Sequence, residues 1–71
     1  MVRYIITTRR NLRGSTPSAQ DAVAADPRIK VVNSDDPEMV TVEASEDAAD
    51  ELRAKLEKTH FVEPEIRRGL T

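Results

Sequence analysis

The chain has 71 residues, 38% of them apolar and 34% charged, with a net charge of −2 and no cysteine. That length allows one domain, residues 1–71, near the lower limit for a self-supporting core. The missing cysteines exclude disulfides, thiolate metal sites and a thiol nucleophile, and the charge balance argues against a general polyanion binder.

Only Tyr4 and Phe61 are aromatic, so the core has to be built from Val, Ile, Leu and Ala. Cores of this kind give about 3–5 kcal/mol of net stability at best. No apolar run reaches the roughly 18 residues of a membrane span. The opening "MVRYIITTRRNLRG" has too short a hydrophobic stretch, followed by too many arginines, for a signal peptide. A soluble cytoplasmic protein is the expectation.

In chain order, "VRYIITT" combines β-branched and aromatic residues and predicts a strand. Three apolar residues in a row, Tyr4, Ile5 and Ile6, suggest a central strand with both faces partly covered. "RRNLRGST" follows as a loop, marked by Asn11, Gly14 and Ser15. "TPSAQDAVAAD" predicts a helix, with Thr16 as cap and Pro17 at the first helical position. Ala19, Ala22 and Val23 recur at helical spacing, and Pro27 ends the segment.

"RIKVVN" and "EMVTVEA" predict two further strands joined by the turn "SDDP". The second of them alternates. Val40, Val42 and Ala44 share one face, and Met39, Thr41 and Glu43 the other, as in a sheet covered on one side. "SEDAADELRAKLEKTH" predicts a second helix. Ser45 caps it, Glu46 and Asp47 complement the dipole, and Ala49, Leu52 and Leu56 form its apolar stripe with Ala48 beside it. Lys55, Lys58 and His60 fall near its negative end. "FVEPEI" predicts a last strand, with Pro64 placing its later half at a sheet edge.

Strand, helix, strand, strand, helix, strand is the split βαβ, ferredoxin-like arrangement. It is an α+β fold, with a four-stranded antiparallel sheet carrying both helices on one face. The first and third strands usually lie at its centre.

Candidate chemistry is sparse. His60 would need a nucleophile or a second ligand to act as a base. Its position reads more simply as a cation on the helix dipole or a loop residue. Asp35, Asp36 and Glu38 offer oxygen ligands for a hard cation, but the segment lacks the ligand spacing and Gly of an EF-hand loop, and turn formation explains it. Arg3, Arg9, Arg10 and Arg13 form a basic group, yet the third strand offers no aromatic on which a base could stack. The two glycines are isolated, so there is no phosphate-cradling loop. The reading is therefore no enzyme, no cofactor, no metal and no nucleic acid. If the helices cover one sheet face, Ile5 and its neighbours remain on the other, where a small apolar patch can mark a protein contact.

The chain resembles the subtilisin propeptides and the free-standing inhibitors built on that module. The resemblance runs from end to end. It rests on "RYIITT", where that family has a basic residue followed by Tyr-Ile-Val, and on "VTVEASEDAADELRAKLEKTHFVEPEI". In "FVEPEI", Val62 and Glu63 match the family's last strand, with Pro64 where an acid is common, then Glu65. The resemblance implies a subtilisin-type serine protease as partner. The open sheet face would dock on two protease helices, with Glu63 and Glu65 capping their positive N-termini. The tail, residues 67–71, would run through the substrate cleft as an extended strand. Thr71 would fill the primary pocket, with Leu70, Gly69 and Arg68 behind it. Arg68 departs from the apolar residue that subtilisins prefer at that place. The rival readings are a small-ligand or regulatory domain of the same fold, and a structural or assembly subunit. Oligomeric state is open, since exposed sheet faces and edges can pair with themselves.

Overall fold

The computed structural model describes residues 2–65. In chain order these form β1 (Val2–Thr8), a short 3-10 turn (Arg10–Leu12), α1 (Ala19–Ala24), β2 (Lys30–Asp36), β3 (Met39–Ala44), α2 (Glu46–Leu56) and β4 (His60–Pro64). The strands make one sheet in the order β2-β3-β1-β4, and each neighbouring pair is antiparallel. The fold is α+β, with β1 and β3 inside and β2 and β4 at the edges.

Alternation along the inner strands decides which face is covered. Tyr4, Ile6 and Thr8 of β1 are buried, as are Val40, Val42 and Ala44 of β3, while the residues between them are partly or fully exposed. Val62 joins them from β4. Against this face pack Ala19 and Val23 of α1 and Ala48, Ala49 and Leu52 of α2, with Leu56 at the margin. Both helices therefore lie on one side of the sheet, and the other side is open. Alanine at the helix contacts lets each helix approach a sheet face built from β-branched side chains. Burial of each of Ile6, Val40 and Val42 stabilises the fold by about 1.5–3 kcal/mol.

The helix α1 begins later than expected. Its cap is Ser18, whose Oγ accepts the Asp21 N–H at 3.2 Å, and neither Thr16 nor Pro17 has the expected role. Thr16 instead bridges to Arg13, and the Pro17 carbonyl is taken up by His60. With six residues the helix is too short to persist by itself. The sheet supplies what it lacks. Ala19 N–H donates to Thr8 Oγ1 and Gln20 N–H to the Pro37 carbonyl, each at 2.9 Å. Together with the Ser18 cap, these bonds satisfy the first three N–H groups that a helix start leaves open.

β2 starts and ends two to three residues later than "RIKVVN". Asp36 pairs with Met39 across the hairpin, so the turn tightens to Pro37 and Glu38. The Asp36 side chain makes this possible by accepting the Glu38 N–H at 2.9 Å while its backbone stays in the sheet. Register shifts at Val31/Asn33 and Asn33/Asp36 bend this edge strand.

α2 follows its sequence pattern. Ser45 Oγ accepts the Ala48 N–H at 3.2 Å, and the apolar stripe turns to the core. His60, however, lies beyond the helix. It opens β4, is 2% exposed, and sits in the core layer opposite Thr8. The segment between Leu56 and His60 closes as a turn, with Thr59 N–H donating to the Leu56 carbonyl, which carries the histidine from the helix end into the sheet.

Candidate functional site

The helix-free face of the sheet is the surface on which the chain's unusual residues meet. Cross-strand partners share a face, so the register orders this surface into rungs. On one rung Thr7 stands between Met39 and Phe61, and on the next Ile5 stands between Thr41 and Glu63. On the third, Arg3 and Lys30 flank Glu43, and Arg3 Nε lies 3.3 Å from Glu43 Oε2. Met39 is 51% and Phe61 45% exposed. For two large apolar side chains on one face, either side of Thr7 on the same rung, that exposure is what marks the surface.

Arg9 continues β1 beyond Thr8 and folds over the Phe61 ring, its guanidinium carbon 4.3 Å from the centroid. Its Nη2 also donates to the Glu57 carbonyl at 2.7 Å. The ring is thus stacked under a cation while the residue as a whole stays exposed. Tyr4, the second aromatic, faces the core at 6% exposure. The open face therefore presents one aromatic, on an edge strand and already stacked, where base stacking would need rings on the central strands.

Of the residues that the resemblance assigned to a protease, Glu63 is exposed beside Ile5. Glu65 is half-buried, and its N–H donates to the Arg3 carbonyl at 2.9 Å. Both lie along the β4 margin of the open face. Arg68, Gly69, Leu70 and Thr71 lie outside the described residues. The sequence alone does not single out Met39 or Phe61 as site residues, and it offers Arg9 only as one member of a basic loop group. Met39 was legible in the alternation of "EMVTVEA", and Phe61 in the fact that adjacent strand residues point to opposite faces, so that burying Val62 turns Phe61 outward. The stacking of Arg9 had no local signal, because its ring partner is 52 positions away.

The outer edge of β4 is protected. The Val62 carbonyl accepts a hydrogen bond from Arg53 Nε at 3.2 Å, and Pro64 has no N–H to offer. Both features discourage an added strand at this edge.

Two side chains of the hairpin, Asn33 and Asp36, serve the backbone. Asn33 Oδ1 accepts the Asp35 N–H and Asp36 Oδ1 the Glu38 N–H. Among the described residues no group of three or more His, Cys, Asp or Glu side chains is placed to hold a metal ion. No helix among them is long and apolar enough to cross a membrane. Comparison with protein-family models, with curated proteins and with solved structures returned no match.

Proposed function

We propose that this chain is a protein-binding module that docks through its open sheet face, in the manner of a subtilisin propeptide or of the inhibitors built on that module. The observation that supports this reading is the exposed pair Met39 and Phe61 beside Ile5 on a face that no helix covers, with Glu63 at its margin. An apolar sheet face of this kind suits the backs of two helices. Glu63 would meet a helix N-terminus, where a carboxylate is favoured by the open N–H groups and the dipole. The resemblance assigns Glu65 the same role at the second helix, and it assigns residues 68–71 to the substrate cleft.

Titration of the 71-residue chain into a subtilisin-type protease cleaving a chromogenic peptide tests the proposal. Inhibition is expected, weakened at least about tenfold by Phe61→Ala and weakened further by removal of residues 69–71. Failure of the chain to inhibit several such proteases at about 0.1 mM would overturn it.

A further inference from the structure

The charges on the open face have a symmetry that protease binding does not use. On the third rung, β2 contributes Lys30, β3 Glu43 and β1 Arg3. Glu65, bonded through its N–H to the Arg3 carbonyl, continues this rung on the β4 side. Glu63 lies one rung along on the same side. From edge to edge the signs run plus, minus, plus, minus, and such a row is its own complement when reversed.

A two-fold axis parallel to the strands, midway between β1 and β3, reverses the columns and keeps the rungs. Such an axis joins identical patches. It sets Lys30 against the acids on the β4 side of a second copy, and Arg3 against the second Glu43. The other rungs agree. Ile5 meets Thr41 and Met39 meets Thr7. Asp36, in register with Met39, meets the Arg9–Phe61 stack at the far end of the opposing rung. An axis perpendicular to the strands would instead set Met39 and Phe61 over Glu43 and Glu65, burying charge against apolar surface at high cost. The pattern of charges thus selects one arrangement.

We propose that the open face pairs with a second copy of this chain, sheet to sheet, about the axis parallel to the strands. The two sheets would stack about 10 Å apart. They would cover Ile5, Met39 and Phe61, so that any other partner of this face competes with self-association. The proposal does not depend on the protease reading. A self-associating chain that inhibits no protease would sustain it, and a monomeric inhibitor would overturn it.

The test is sedimentation equilibrium of the 71-residue chain at up to about 0.2 mM, in low salt. A species of two chains is expected, dissociating as salt screens the outer charges. Arg3→Glu makes the row plus, minus, minus, minus, and Glu43→Arg makes it plus, plus, plus, minus. Each variant alone then faces like charges at the two inner positions and should associate at least about tenfold more weakly. An equimolar mixture of the two restores opposite charges at all four positions and should recover the two-chain species. A single-chain mass for the unaltered protein would overturn the proposal, as would single variants that pair as well as it does, or a mixture that fails to pair. If either variant unfolds, the unaltered chain still decides the matter. Dilution should shift the amide signals of Ile5, Thr41 and Glu43, and shifts confined to the β2 edge would refute face-to-face pairing.

Discussion

His60 Nε2 lies 2.9 Å from the carbonyl oxygen of Pro17, and His60 Nδ1 lies 2.6 Å from Thr59 Oγ1. A carbonyl only accepts, so Nε2 carries the hydrogen, and in the neutral ring Nδ1 accepts from the Thr59 hydroxyl. One imidazole thereby ties the start of β4 to the segment that enters α1. His60→Ala would remove buried packing and leave the Pro17 carbonyl without its donor. It is expected to lower the unfolding free energy by about 2–4 kcal/mol, read from urea denaturation. His60→Gln should recover part of the loss, and an alanine variant as stable as the parent would show that the tie carries no weight.

Thr8 Oγ1 holds the first N–H of α1 from inside the core, where Thr8 is 1% exposed. Thr8→Val keeps the shape and removes the acceptor. The stranded Ala19 N–H is expected to cost about 1–3 kcal/mol. Amide exchange should show the loss concentrated in α1, since the helix is six residues long and relies on this start. Uniform exchange acceleration across the sheet would contradict this account.

Asp26 ends the turn after α1 and is bound by Arg28, whose Nη2 also reaches Glu51 on α2 at 2.9 Å. The Arg28 side chain, and then its backbone N–H, hold the Asp26 carboxyl down at about 2, below its ordinary 3.8, and the side-chain bonds to Asp26 and then to Glu51 raise the Arg28 guanidinium. A carboxylate lowered on folding stabilises fully above its unfolded value, and that contribution fades as pH falls through the folded one. Asp26→Asn should therefore be less stable than the parent at neutral pH, and the gap should close as pH falls from 3.8 towards about 2. Thermal melts of both proteins along that range would show it, and a gap independent of pH would contradict it.

Arg9 and Phe61 should couple. Combining Arg9→Ala with Phe61→Leu in a double-mutant cycle is expected to give a coupling of about 0.5–1 kcal/mol, typical of an exposed cation over a ring. A coupling near zero would mean that the Arg9 position depends on the Glu57 carbonyl alone.

Most of the secondary structure was written in short-range pattern. The alternation of "MVTVEA" sorted Val40, Val42 and Ala44 from Met39, Thr41 and Glu43, and the structure buries the first set. Ser45 and the Ala49–Leu52–Leu56 spacing marked α2 because capping and helical periodicity act within one or two turns. Where reading failed, a distant residue had intervened. Thr16 and Ser18 are both acceptable caps, and the choice of Ser18 goes with a sheet that offers Thr8 Oγ1 to Ala19 and the Pro37 carbonyl to Gln20. His60 followed so many helical residues that it read as the helix end, yet its burial depends on partners at positions 17 and 8.

The candidate site divides along the same line. That Ile5 would face away from the helices was legible from the period of two along β1. Which residues stand beside it was not, because its partners Thr41 and Glu63 lie 36 and 58 positions away in the chain. Alternation, caps and turns, being local, determined the elements of this protein, their order and the side of each strand that turns inward. Only tertiary pairing set Glu63 next to Ile5, stacked Arg9 on Phe61, and lined up Lys30, Glu43 and Arg3 into a row of alternating sign. Charge and ring contacts act through space, and sequence distance does not measure them.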